Sequence, residues 1–328
     1  MNVKQEKLNN ILKYSITYTL RMSVTILGKN YDIKTTTKLN LYNNQLSSLS
    51  AEIGKLVNLQ ELYLGKNELS NLPAEIGKLV NLKELDLTGN KLSSLPAEIF
   101  KLVNLRHLVL SNNQLSNLPV EISKLVNLKN LNLYENQLSS LPAEIGNLVN
   151  LQTLSLYNNH LSSLPAEIGK LVNLQELYLK GNKLSSLPAE IGELVNLQRL
   201  ILRNNKLSSL PSEISKLVNL QYTLDLNYNQ LSSLPSEIGK LVNLQVLYLY
   251  NNKLKSLPVE ILKIKEKIWI DETSYEINNL SLDTEILIFS KLQIELTNLP
   301  ISLKEIWLKE GIDENLIKLP FGCEIKYY

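Results

Sequence analysis

The chain has 328 residues, 44% of them apolar, and its 34 basic against 32 acidic side chains leave a formal net charge of +2. That balance makes no electrostatic case for nucleic acid or an anionic membrane surface as partner. A single cysteine, Cys323, excludes an internal disulfide, and no segment approaches the roughly 20 apolar residues of a membrane-spanning helix.

The polar opening MNVKQEKLNN does not read as a secretory signal. Together with the lone cysteine it points to a reducing, cytoplasmic setting. Leu8, Ile11 and Leu12 follow with helical spacing, and from Tyr14 to Ile26 apolar residues occupy every second position, the pattern of a strand. Gly28-Lys29-Asn30 reads as a turn that returns through Tyr31 and Ile33. Residues 1–35 are therefore expected to form an N-terminal cap of helix plus strands, covering an apolar end and an unpaired strand edge.

From residue 36 to 260 the chain repeats itself every 23 residues as Leu-x-x-Leu-x-Leu-x-x-Asn-x-Leu-Ser-x-Leu-Pro-x-Glu-Ile-x-x-Leu-Val-Asn. The asparagine recurs at Asn44, Asn67, Asn90, Asn113, Asn136, Asn159, Asn182 and Asn205, then after one inserted residue at Asn229, then at Asn252. Ten units at a fixed period predict a solenoid in which neighbours bury one another. In the unit that starts at Leu82, Leu85-Asp86-Leu87 alternates as a short strand with one buried face. Leu95-Pro96-Ala97-Glu98-Ile99 then reads as the first turn of a short helical segment, with proline at the first helical position and Glu98 near the positive end of its dipole. Leu82, Leu85, Leu87, Leu92, Leu95, Ile99 and Leu102 are the expected interior. Burying them does not outweigh the ordering of the unit's own backbone, so one repeat alone cannot fold.

The ninth unit, NLQYTLDLNYN, has one residue more before its strand than NLQELYLKGN. This is either a bulge that re-aims Tyr222 and Tyr228 or a tolerated slip at the strand entry. After residue 260 the period shortens. Apolar pairs at Ile268/Ile270, Ile286/Ile288, Ile306/Leu308 and Ile325/Tyr327 are spaced by 18, 20 and 19 residues. Residues 261–328 are expected to form about four degenerate short repeats that continue the sheet as a C-terminal cap, all within a single elongated domain. The one glycosylation sequon noted, Asn279-Leu280-Ser281, reads as chance.

The repeat resembles the leucine-rich repeat family, in its 23-residue intracellular type with the Leu-Pro-x-Glu-Ile-Gly-x-Leu consensus of Ras-suppressor-like and LAP-type scaffold proteins. Bacterial and giant-virus leucine-rich repeat proteins carry similar runs, and LTNLPISLKEIWL resembles the short repeats of bacterial effectors. The resemblance implies an α/β fold: a right-handed horseshoe with a parallel concave β-sheet and short helical or 3-10 segments on the convex side. It also implies that Asn44, Asn67, Asn90, Asn113, Asn136, Asn159, Asn182, Asn205, Asn229 and Asn252 form a structural ladder, each amide bonding backbone groups of its own and adjacent repeats. Members bind unrelated partners, so the resemblance names no ligand.

Positions that stay fixed between copies serve the stack, and outward positions that vary are released from that constraint. One outward column reads Asn40, Tyr63, Asp86, Val109, Asn132, Ser155, Tyr178, Ile201, Asp225 and Tyr248, and the next reads Tyr42, Gly65, Thr88, Ser111, Tyr134, Tyr157, Lys180, Arg203, Asn227 and Tyr250. Parallel strands lie about 4.8 Å apart, so these columns become rows on the concave sheet. Tyr63, Tyr134, Tyr157, Tyr178, Tyr248 and Tyr250 suit anchoring of a protein partner. A basic cluster of Lys180, Lys183, Arg199, Arg203 and Lys206 contrasts with Glu61, Glu68, Glu84 and Asp86 nearer the N-terminus and suits steering of a charged partner. Strands favour tyrosine in any case, so composition alone does not separate recognition from drift. The convex glutamates and lysines, such as Glu75 with Lys78, read as a solvated surface.

An enzyme reading has little support. His107, beside Glu84 of the preceding repeat and near Ser111, loosely resembles a base with its orienting acid, yet no oxyanion hole accompanies it. His160 is too distant to share a metal with it, and Cys323 lacks the Cys-x-Asp pattern of effector ubiquitin ligases. The expectation is a monomeric, non-catalytic protein-interaction scaffold of the cytoplasm (the host's, if the chain is viral). It needs no cofactor or metal and binds a protein partner through Tyr63, Asp86, His107, Tyr134, Tyr157, Tyr178, Lys180, Arg199, Arg203, Tyr248 and Tyr250. The alternative is a substrate-recognition adaptor or effector that directs a separate enzyme such as a ubiquitin ligase or phosphatase.

Overall fold

Strand, turn and 3-10 helix follow one another with the period of the sequence. The structure, a computed structural model, describes residues 22–254, 258, 260–261, 267–270, 286–289, 303–308 and 313–327. The expected helix at Leu8–Leu12, the start of the first strand pattern and the sequon at Asn279 lie outside them. By internal contacts the chain divides into two units, residues 1–115 with 124–128, and residues 116–123 with 129–328.

The first unit opens with an antiparallel hairpin, β1 (Ser23–Ile26) and β2 (Lys29–Asp32). Its connection is Leu27-Gly28, both at positive φ (50° and 74°), the two-residue turn that matches strand twist. The turn thus lies one residue earlier than the sequence suggested, and Lys29 and Asn30 belong to β2. Val24 and Ile26 are buried. The parallel strands β3 (Lys38–Asn40), β4 (Glu61–Tyr63), β5 (Glu84–Asp86) and β6 (His107–Val109) then pair in sequence order, with Leu39, Leu62, Leu85 and Leu108 in register.

The second unit continues the pattern with β7 (Asn130–Asn132), β8 (Thr153–Ser155), β9 (Glu176–Tyr178), β10 (Arg199–Ile201), β11 (Thr223–Asp225) and β12 (Val246–Tyr248), again parallel. The shorter units add β13 (Lys267–Ile270), β14 (Ile286–Phe289), β15 (Glu305–Leu308) and β16 (Glu324–Tyr327), each parallel to its predecessor. Their register corrects one assignment. Leu287, not Ile286, aligns with Ile268 on one side and with the buried Ile306 on the other. The short units therefore advance by a constant 19 residues, Ile268 to Leu287 to Ile306 to Ile325.

Among the described residues, the first nine units each return to the next strand through a five-residue 3-10 helix such as Ala74–Lys78. Proline sits one place earlier than expected: Pro73 is the extended N-cap (φ −68°, ψ 147°) rather than the first helical residue. Having no N–H to satisfy there, it presents its carbonyl to the amide of Ile76 at 3.0 Å. Glycine follows the buried isoleucine in most of these helices, Phe100, Ser123 and Ser215 being the exceptions, and there neighbouring helices nearly touch; a Cβ on Gly77 would meet the Glu98 carbonyl oxygen at 2.7 Å. The interior is almost all leucine and isoleucine, though Leu95 is only partly covered.

The repeated asparagines sit where strand turns into loop. Asn90 is typical: its Nδ2 donates to the Leu87 carbonyl of its own repeat and the Leu64 carbonyl of the preceding one, both at 3.0 Å, while Oδ1 accepts from the Leu69 amide at 3.0 Å. Within the second unit Asn159, Asn182, Asn205, Asn229 and Asn252 make the same three bonds. Asn44 differs. It is exposed and donates to its own Tyr42 carbonyl at 3.2 Å, while its amide and that of Leu46 donate to Asn67.

A second asparagine ladder runs along the entry to the strands. Asn81, Asn104, Asn173, Asn196, Asn219 and Asn243, the last residue of the Leu-Val-Asn tripeptide, each donate to the valine carbonyl of the preceding repeat at 2.7–2.9 Å. These rungs are solvent-exposed, unlike those of the first ladder.

The two ladders should differ in energetic weight. Asn159→Ala would leave the Leu138 amide without its partner in a site only 3% exposed and strip the Leu133 and Leu156 carbonyls of one donor each, Asn136 and Asn182 remaining on them, costing about 1–3 kcal/mol. Asn173→Ala, where water can replace the lost bond, should cost under about 1 kcal/mol. Urea unfolding of the two variants tests this, and equal midpoints would contradict it.

Candidate functional site

The outward sheet face is built by the residues flanking each buried central leucine. In the first unit the Tyr63 hydroxyl donates to Glu61 Oε2 at 3.0 Å, and Lys38 Nζ reaches the same oxygen at 2.6 Å while standing 4.9 Å from the Tyr63 ring centre. Hydrogen bonds from Lys38 and Tyr63 hold the Glu61 carboxyl below its usual range, whereas burial pushes the Tyr63 phenol well up. Asp86 Oδ1 accepts from the Thr88 amide at 2.8 Å, so this side chain also shapes its own turn. Lys91 pairs with Glu68 at 3.0 Å. Two of the four carboxylates noted in the sequence, Glu61 and Glu68, are therefore already matched by lysines.

His107 is exposed and sits in register with Glu84. Ser111 is buried, its hydroxyl 3.1 Å from that of Thr88. In the second unit, burial pushes the Cys323 thiol up, which disfavours the thiolate a nucleophile needs. Among the described residues no three His, Cys, Asp or Glu side chains are grouped to hold a metal.

The second unit carries the larger aromatic surface. Tyr134 meets Tyr157 edge to face, ring centres 6.3 Å apart, and Tyr157 meets Tyr178 at 5.2 Å. The row ends in a closed polar group. Arg199 Nη1 donates to Glu176 Oε1 at 3.0 Å and to the Tyr178 hydroxyl at 3.1 Å, while that hydroxyl donates to Glu176 Oε2 at 2.9 Å. Arg199 thus leaves the basic cluster expected from the sequence, because Glu176 on the adjacent strand neutralises it.

Lys180 and Arg203 remain on the next row, with the guanidinium 5.0 Å from the Tyr228 ring centre. Tyr228 in turn meets Tyr250 at 4.9 Å, ring planes perpendicular. Asp225 is buried, which raises its carboxyl; the Asn227 amide, Arg203 and Lys180 act the other way. Tyr248, beside Asp225 in register, has its phenol raised by burial.

The extra residue of the ninth unit lies at Gln221-Tyr222. Strand register is kept, Arg199 pairing with Thr223 and Thr223 with Val246. Tyr222 is exposed, its ring centre 5.2 Å from the Arg199 guanidinium.

Beside the strands, Gln152, Asn173, Gln175, Asn196, Gln198, Asn219 and Gln221 line an open polar groove of about 390 Å³. The sequence reading passed over it. Its signals in the sequence are the fixed asparagine of Leu-Val-Asn and the glutamine two residues on, which recurs five times running as Gln152, Gln175, Gln198, Gln221 and Gln245.

With the geometry in place, the comparisons are decisive for family. A profile described as "Leucine-rich repeat region" matches residues 38–124 and 117–183, and related repeat profiles match 173–194, 196–217 and 223–263. A leucine-rich repeat protein of Leptospira interrogans is 36% identical over 86% of this chain and 75% of its own, with TM-score 0.62. The chain belongs to the leucine-rich repeat family. Its fold is therefore the leucine-rich repeat solenoid of parallel strands and 3-10 helices, in a family of protein-interaction scaffolds that is typically non-catalytic. The leucine-rich effector protein YopM of Yersinia pestis is 27% identical over 89% of this chain and 77% of its own, TM-score 0.65. An internalin of Listeria monocytogenes shares the fold at 18% identity, covering 92% and 90%, TM-score 0.71. Among curated proteins no sequence match was found. No helix among the described residues of this leucine-rich repeat protein is long and apolar enough to cross a membrane.

The half-buried tyrosine row should show in alkaline titration. Burial pushes the Tyr157 phenol from 10.0 up to about 12. A folded-state value above the unfolded one means that its contribution is full below pH 10 and is lost as pH rises toward about 12. Tyr157→Phe should therefore flatten the fall in stability between pH 10 and 12. An unchanged slope in denaturant unfolding across that window would contradict the assignment.

Proposed function

We propose that this leucine-rich repeat protein is a non-catalytic scaffold that binds a protein partner on its concave sheet face, with the second unit's tyrosine row as anchor. The observation that carries the reading is the contact chain Tyr134, Tyr157, Tyr178, which follows or ends three successive strands. Each ring is held by its neighbour, and Tyr178 also by Arg199 and Glu176, so little side-chain entropy remains to be lost on binding. Tyr63, Asp86 and His107 in the first unit and Lys180, Arg199, Arg203, Tyr248 and Tyr250 in the second complete the candidate surface. The protein is proposed to act as a cytoplasmic monomer.

A second reading is a recognition adaptor or effector directing a separate enzyme. The resemblance to a protein described as a leucine-rich effector favours it. A ligase or phosphatase subunit recovered by affinity capture from the source cell would select this reading; self-association alone would argue against both.

Residues 1–35 and 261–328 are proposed to close the ends of the stack. Supporting this, the Asn58 amide donates to the Lys34 carbonyl at 3.0 Å, and Leu303, Ile306 and Leu308 are buried among the short units. A protein truncated after Glu260 should bind a hydrophobic dye and aggregate; a monomeric product with an unchanged melting point would make that segment a separate module.

Replacing Tyr134, Tyr157 and Tyr178 together by alanine should lower affinity for the captured partner by about 2–4 kcal/mol, the range of aromatic hot spots. The buried leucines are untouched, so the fold should persist. Replacing Glu144, Glu167 and Lys170 on the 3-10 helices should cost less than about 1 kcal/mol. Titration of both triple variants decides, and loss in the second with retention in the first would place recognition on the other face.

A further inference from the structure

Resting on the reading of the sheet face as a binding surface, the geometry points to the chemistry of one part of the partner: an acidic, extended segment rich in Asp or Glu, held by Lys180, Lys183, Arg203 and Lys206. These four side chains come from the strand ends and turns of two adjacent repeats. Backbone bonds fix them side by side: the Asn158 amide donates to the Lys180 carbonyl and the Gly181 amide to the Arg203 carbonyl, both at 2.9 Å. One column over, the Lys183 and Lys206 amides donate to the successive carbonyls of Leu161 and Leu184, also at 2.9 Å. Lys180 lies one rung from Arg203, and Lys183 one rung from Lys206.

The same column elsewhere is neutralised. In the first unit Lys91 has Glu68 beside it at 3.0 Å. In the second unit Lys183 stands between His160 and Lys206, and the next residue along is Gln230. Like charges on adjacent rungs repel, and the fold does not need them there, since the equivalent places hold Gln114 and Gln137 without penalty. Arg199, four residues before Arg203, is occupied by Glu176. Asp225 offsets Arg203 and Lys180 only in part, since it is buried and accepts its own turn's amide from Asn227 at 3.0 Å, and among the described residues no carboxylate pairs with Lys183 or Lys206. The Arg203 guanidinium stands 5.0 Å from the Tyr228 ring centre, a cation–π contact that restrains it beside the lysines.

The size of the patch selects the ligand. Adjacent rungs are about 4.8 Å apart and alternate side chains of an extended strand about 6.6–7 Å apart, so a short run of carboxylates spans both rungs and both columns. A nucleic acid would call for a longer basic track than four cations on a chain of net charge +2. The neighbouring tyrosines supply the apolar ground on which the same segment, or the residues next to it, would lie.

The probe is fluorescein-labelled hexaglutamate, titrated into the full chain at low ionic strength, with labelled hexalysine and hexauridylate in parallel. Hexaglutamate should bind best and weaken steeply with added salt. The double variant Lys183→Gln/Lys206→Gln should lose about tenfold or more in affinity, whereas Lys78→Gln/Lys170→Gln, which removes the same charge from the 3-10 helices, should lose little. The triple alanine variant of Tyr134, Tyr157 and Tyr178 should keep hexaglutamate binding, so failure of the tyrosine anchor and failure of the basic lip are read separately. Equal affinities for the two lysine double variants would overturn the inference by assigning the effect to net charge. Tighter binding of hexauridylate would overturn it in favour of nucleic acid.

Discussion

The carboxamide of the repeated asparagine is the group on which this architecture depends. Strands of three residues supply few ladder bonds, and the turn that follows exposes carbonyls and amides that neither strand nor 3-10 helix can satisfy. In one buried position Asn90 closes a carbonyl of its own repeat, a carbonyl of the repeat before and an amide of the repeat before. Aspartate has the shape but not the donors, and its oxygens would face the carbonyls of Leu64 and Leu87. Leucine burial supplies most of the attraction between repeats, yet it is non-directional. The asparagine converts that attraction into a fixed register, and the outward columns exist as rows only because the register is fixed.

How far this was legible in the sequence follows from which constraints act within one repeat. The strand positions, the asparagines and the Leu-Pro punctuation recur with the period, so their roles could be read from copies alone. The second ladder could not, because nothing in Leu-Val-Asn says whether the amide meets water or the valine carbonyl of the preceding repeat. Glu75 and Lys78 read naturally as a pair within one helix, and Lys55 with Glu52 does form such a pair. Lys216 instead reaches Glu193, 23 residues away, because stacking brings the previous helix as close as the next turn of its own. Arg199 looked like one member of a basic group for the same reason: its partner Glu176 is adjacent only after folding. In the short units, Ile286 and Leu287 are both apolar, and only pairing with Ile306 chooses between them.

The candidate surface shows a second consequence of stacking. An outward residue acquires neighbours one rung away on either side, so its character is set by a column rather than by its own repeat. Tyrosine next to tyrosine becomes a held aromatic row from Tyr134 to Tyr178, glutamate next to arginine becomes a neutral clasp, and lysine next to lysine becomes a site of uncompensated charge. A single substitution therefore changes the environment of three repeats while leaving the leucine interior alone.

The ninth unit shows where the fold tolerates change. In ordinary repeats one carbonyl at the strand entry serves two amides; Gln175 accepts from both Gln198 and Arg199, at 2.8 and 3.1 Å. With the extra residue the load is divided: Gln221 accepts from Gln245 at 3.0 Å and Tyr222 from Val246 at 3.2 Å. A doubly used acceptor is spare capacity, and the insertion draws on it without shifting the strand. Tyr222 emerges from that junction against Arg199, next to the clasp that ends the tyrosine row. The backbone thus admits a new aromatic group at the edge of the candidate surface while Leu224 stays in register with Leu200 and Leu247 beneath it.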